Sequence, residues 1–301
     1  MHMWIIFSLL APLCWAAVNF IDENLVNKEK ATGAAVIFSA VFGAIASLVI
    51  FLFFPEVLGV SVHDAVLYMF TGVAFMGMVI CYLYALDSAH RINSEYTVSL
   101  VVPWFELSTP IAVLLGYALL GETITWIQGG AIAIIFVGAI FLNTDFKVFR
   151  FYKGVAIKML GAAFFFAVGR TLYKFVAGGT ESFWTASFWE NIGIFLVALI
   201  LFVLIRNYRK DFIGVFKNSR KKVMGLSAAN ESISTVGNLI GAYATLIAPI
   251  GVVFAIFSIQ SLYIVIFESI KAKEFGWNNA QTILSILMII AGAGLLALVS
   301  N

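Results

Sequence analysis

Apolar runs of about 17–25 residues, parted by short polar breaks, fill almost the whole chain. That length lets a helix cross a hydrocarbon core of ~30 Å. The runs fall at roughly 3–22, 33–54, 64–87, 93–120, 126–143, 153–176, 183–205, 222–247, 249–270 and 277–299. They are too long and too uniformly apolar for barrel strands, so the pattern predicts an all-α integral membrane protein with ten transmembrane helices. The first run lacks a basic leader and a small-residue cleavage site and is read as the first span. The longest polar stretch, Arg206 to Lys222, is read as a loop.

The two sets of five runs align in order. Trp15-Ala16 and Asn19 meet Phe166-Ala167 and Arg170, and Phe38 and Gly43 meet Phe188 and Gly193. Tyr84-Ala85 meets Tyr243-Ala244, Glu122 meets Glu274, and Trp126 meets Trp277. Five spans per half is odd, so the second half enters the membrane from the opposite side. The expected organisation is a 5+5 inverted-topology repeat, with residues 1–145 as one unit and 146–301 as the other. Such repeats can exchange conformations around a site at the midplane, which is alternating access.

Composition agrees: the 301 residues are 62% hydrophobic and 11% charged. Net charge is only +2, but its distribution is uneven. Of 18 Lys and Arg residues, 15 lie in the odd-to-even loops, seven of them between Arg206 and Lys222. The positive-inside rule then places those loops in the cytoplasm and both termini outside, for a multi-pass protein of the cell (cytoplasmic) membrane. Cys14 and Cys81 sit in apolar runs and are read as free thiols.

Polar groups inside a bilayer are costly and mark function or helix contacts. The eighth run carries Ser227, Glu231, Ser234, Thr235, Asn238 and Thr245 at steps of three, four and seven, widened by Asn230 and Gly241. That stripe must face the protein interior or a water-filled cavity. Arg170 cannot lose its proton. It needs a carboxylate, with Glu190 beside Asn191 and Glu231 as the available mates, or an anionic group of a substrate. A structural pair and a substrate clamp both remain open. Glu106, between Pro103 and Pro110, sits near an expected kink. Trp15, Asn19 and Asp22 share a helix face, with Asp22 at the cytoplasmic mouth. Tyr82, Trp104, Trp189 and Gln260 complete the interior candidates. Glu231 and Glu106 are candidate proton-coupling residues.

Nucleotide-binding loops, metalloprotease helices and paired-cysteine metal sites are missing from the sequence. The expectation is a chain that is not an enzyme and needs no cofactor, metal or nucleic acid.

Leu107-Ser108-Thr109-Pro110, Leu119-Leu120-Gly121-Glu122, Trp126, Gly129 and Gly138 together resemble the EamA repeat of the drug/metabolite transporter superfamily. The second half is degenerate, with Lys273-Glu274 where Gly-Glu would stand. The resemblance implies a central cavity lined by spans one to four and six to nine, with spans five and ten as scaffold. Gly130, Gly138, Gly292 and Gly294 suit close packing of those two spans. Relatives move amino acids, amines, choline-like cations, nucleotide sugars or sugar phosphates, and most carry cytoplasmic termini, unlike the orientation read here.

Three carboxyls against one Arg170 disfavour strongly anionic cargo. The expected function is secondary transport of a small polar, zwitterionic or cationic metabolite such as an amino acid or amine, by a monomer or homodimer in the bilayer. The alternatives are a translocase for a lipid-linked head group and a non-transporting membrane subunit.

Overall fold

The computed structural model describes residues 3–29, 32–92, 101–102, 104–143, 152–218, 221–272 and 280–299. Every regular element among them is helical. In order these are α1 (Met3–Glu29), α2 (Thr32–Phe53), a 3-10 turn (Pro55–Leu58), α3 (Val62–Ile92), α4 (Ser108–Leu120) and α5 (Trp126–Asn143). There follow α6 (Lys153–Ala177), a 3-10 turn (Thr180–Ser182), α7 (Phe183–Leu204), α8 (Arg206–Asn218) and α9 (Lys221–Ile247). The chain closes with α10 (Ile250–Phe257), α11 (Gln260–Ala272) and α12 (Ala280–Val299). A hydrocarbon interior has no water for backbone groups, and a helix satisfies them internally.

Seven segments among the described residues are long and apolar enough to cross a membrane. Three of the ten predicted spans fall outside that set, each for its own reason. The fifth has an apolar helix only from Trp126 to Leu142. The eighth, α9, is long enough but carries the polar stripe. The fourth is broken. Leu107 N–H donates to the Trp104 carbonyl at 3.3 Å and Thr109 N–H to that of Glu106 at 3.0 Å. Pro110 has no N–H to give Glu106, so α4 starts afresh at Ser108. The other proline of the predicted kink, Pro103, lies outside the described residues. The ninth span is also broken, without a proline: Ile259 N–H donates to Ile256 and Ser261 N–H to Ser258, in short three-residue steps between α10 and α11.

The stretch after Arg206, expected as a loop, is the helix α8. Its apolar residues Tyr208, Phe212 and Val215 recur at steps of four and three and dock on α2, with Phe212 against Phe38 at 5.2 Å. Local charge hid this amphipathic period.

Helix contacts are tight where glycines allow it. α3 and α7 approach so closely that a Cβ on Gly72 would stand 2.0 Å from the Glu190 carbonyl oxygen, and one on Gly193 would stand 2.2 Å from that of Met69. α5 packs along α12, with Gly138 against Met288 and Gly292 against Ile135. Gly130 and Gly294, expected in the same role, face open space. They lie on the far sides of their helices, a quarter-turn or more from the contact line.

α1 runs along α9, α3 along α6, and α2 along α7. α4 ends at Gly121, whose φ of +66° is a left-handed cap that suits glycine. The turn delivers Glu122 to the second half of the chain. Its carboxylate accepts the Ile250 N–H at 2.7 Å, capping α10, and pairs with Lys174 at 2.6 Å. Lys174 also donates to the Ala248 carbonyl.

Candidate functional site: a carboxylate-lined cavity

A cavity of about 110 Å³ lies between α1, α2, α3, residues 101–106, α6 and α9, with Gln260 at the start of α11. Its apolar walls include Trp15, Phe75, Phe105 and Phe166. Trp15 meets Phe166 edge-on at 5.6 Å and Phe257 at 4.9 Å. The indole reaches this place because α9 offers Gly237 and Gly241 beneath it; a Cβ on Gly241 would stand 3.0 Å from the ring.

Three carboxyl groups enter the same cavity: Asp22, Glu106 and Glu231, all buried. Asp22 accepts a hydrogen bond from Asn230 Nδ2 at 2.8 Å. Glu231 is bonded to the Ser39 hydroxyl, and Asp22 lies close enough to repel its charge. Glu106 accepts from Ser261 at 2.7 Å. Tyr82 donates its hydroxyl to Asn19 Oδ1 at 2.9 Å. Seven residues of α1, about 10 Å of helix rise, separate Trp15 from Asp22. Among the described residues no Lys, Arg or His lines the cavity.

Of the residues singled out from sequence, the fold brings Trp15, Asn19, Tyr82, Glu106, Asn230, Glu231, Asn238 and Gln260 to this wall. It places Arg170, Glu190, Asn191 and Trp104 elsewhere. Arg170 is 1% exposed, with Nη1 3.3 Å from Glu190 Oε1 and its guanidinium 5.0 Å from the Phe75 ring centre. Asn191 turns back to donate to the Ser187 carbonyl. Trp104 packs against the buried cluster that contains Ala85, Leu86, Val101 and Val155. Trp189 bonds the Val57 carbonyl instead of facing the cavity.

Asp22 was expected at a mouth but is 7% exposed. Its shared face with Trp15 and Asn19 was the signal for a deeper place. Ser39 gave no signal, being one hydroxyl in an apolar helix. Among the described residues no group of three or more His, Cys, Asp or Glu is arranged to hold a metal.

Residues 2–144 match the family model described as the EamA-like transporter family. No curated protein matches the chain in sequence. One crystal structure superimposes over 99% of this chain and 97% of its own with a TM-score of 0.70 at 13% identity, a likeness of fold alone. The order of the motifs, the all-helical bundle and the family match agree: over residues 2–144 this membrane protein is similar to the EamA-like transporter family.

Proposed function

We propose that the protein is a secondary carrier for a small amine-like organic cation or zwitterion, working by alternating access. The observation that carries this is the cavity wall: three carboxyls, five aromatic side chains and no basic side chain among the described residues. Buried carboxylates without a counter-charge are costly. An ammonium group would neutralise them, and an aromatic face adds attraction to a cation. Arg170 is already neutralised by Glu190, so a substrate carboxylate has no charged partner in this wall. That favours an amine over an amino acid, and either over an anionic sugar phosphate.

The inverted 5+5 repeat, with units 1–145 and 146–301, is supported by how helices pair. Under exchange of the halves, the α1–α9 pair maps onto α6–α3. The α2–α7 and α5–α12 contacts map onto themselves, as does the contact between the fourth and ninth spans. Bundles related in this way can rock about the cavity between them. Charge bias supports cytoplasmic placement of the basic α8 in the cell membrane, with the termini outside. Glu231, beside Asp22, exchanges the coupling proton: cargo and proton compete for the same carboxyls.

Uptake into proteoliposomes tests the reading, using labelled amines, choline-like cations, amino acids and a sugar phosphate, with and without a pH gradient. Saturable amine uptake is expected, and Glu231→Gln should remove its response to the gradient. Preference for the sugar phosphate would overturn the substrate class. An unchanged pH response in the variant would remove Glu231 as the coupling group.

A further inference from the structure

A second, smaller pocket opens beside the cavity, where the breaks of the fourth and ninth spans meet. Its volume is about 20 Å³, room for one water or one small ion. Glu106, Thr109 and Ser258 line it, and Ser261 donates to Glu106 from the next turn at 2.7 Å. All four are at most 6% exposed. Ser258 is also hydrogen-bonded to Glu106. Thr109 Oγ1 stands 3.3 Å from the Phe254 carbonyl oxygen and 3.5 Å from Ser258 Oγ.

These contacts have the chemistry of a site for a hard cation. Every donor is an oxygen: one carboxyl, three hydroxyls and a main-chain carbonyl at the end of α10. Cations of Ca²⁺ or Na⁺ size hold oxygens at about 2.4 Å, which puts neighbouring oxygens about 3.4 Å apart. The spacings around Thr109 match that separation and are long for hydroxyl hydrogen bonds. A divalent ion draws on several carboxylates; Glu106 alone supplies one charge, which fits a monovalent ion. A carbonyl oxygen has two lone pairs: that of Phe254 takes the Ser258 N–H at 3.3 Å and also faces Thr109 Oγ1. Packing alone does not call for a carboxyl and three hydroxyls at this depth, where each polar group needs a partner.

We propose that Glu106, Thr109, Ser258, Ser261 and the Phe254 carbonyl form a binding site for a single sodium ion. The ion ties α4 to α10, and so the first half of the chain to the second, next to the wall shared with Trp15 and Gln260. Binding stands on this geometry alone; only the further step, that sodium drives cargo movement, rests on the carrier reading above.

The purified full chain in detergent, without substrate, is unfolded by heat in NaCl, KCl or choline chloride at equal ionic strength. A saturable rise in Tm in NaCl over both other salts is expected, together with direct ²²Na⁺ binding. Thr109→Val, which keeps the side-chain shape, and Ser258→Ala should each weaken sodium affinity by about tenfold or more. Equal Tm in all three salts means the pocket holds only water and overturns the site, as does a sodium response unchanged in both variants. Sodium binding without uptake of any cargo would keep the site and remove the carrier reading. Amine uptake indifferent to sodium, with no sodium binding, would do the reverse.

Discussion

Removing one member of the buried Arg170–Glu190 pair should have unequal effects depending on which member goes. At 3.3 Å and an effective dielectric near 20, the two charges attract by about 5 kcal/mol. Glu190→Gln leaves a guanidinium that cannot shed its proton, 1% exposed and with nowhere to snorkel. Breaking a buried pair in this way costs about 3–5 kcal/mol. Arg170→Met leaves a carboxyl that can take up a proton and become neutral. Its cost is confined to the hydrogen bonds and the Phe75 and Tyr173 ring contacts, about 1–3 kcal/mol. The double variant carries no charge and should fall near Arg170→Met. The assay is unfolding in mixed micelles with increasing denaturing detergent, followed by tryptophan fluorescence. A gap of 1.4 kcal/mol between the single variants is a tenfold difference in the folded ratio. Equal losses would refute the charge argument. Unchanged stability in Arg170→Met with loss of amino-acid binding would show the arginine to be a clamp for a substrate carboxylate instead.

The close approach of α3 and α7 gives a second test: Gly72→Ala or Gly193→Ala forces apart two backbones that would meet the new Cβ at 2.0 and 2.2 Å. Each should cost about 1–3 kcal/mol and lower Tm, while Gly129→Ala, which meets open space, should not. Glu122→Ala strands the Ile250 N–H and takes from Lys174 its carboxylate partner, for a loss of about 1.5–3 kcal/mol. Lys174→Met leaves the cap on α10 intact and should lose less; thermal unfolding of the two variants side by side reads the order, and the reverse order would refute the capping role.

Much of this molecule could be read one residue at a time. Span length, apolar content and basic loops are local properties, and a bilayer turns them directly into helices, since no other open chain segment satisfies its backbone there. The Gly121-Glu122 motif was visible for the same reason: a left-handed cap leaves its mark on a single position. Helix periodicity put Asn230, Glu231 and Asn238 on one stripe before any neighbour was known.

The rest depended on what came to lie opposite. Arg170 had two carboxylate mates by sequence, and the α6–α7 register gave it Glu190 and left Glu231 to the cavity. Asp22 became an interior group because Asn230, 208 positions away, supplies its hydrogen bond. The break in the ninth span has no proline to announce it, and the sodium pocket exists only where that break meets the one beside Pro110. By itself the sequence determined that the apolar stretches are helical, which of their faces are polar and which family residues 2–144 resemble. Only the tertiary structure decided which charges cancel and which stay available to a ligand, because burial and pairing belong to two helices at once.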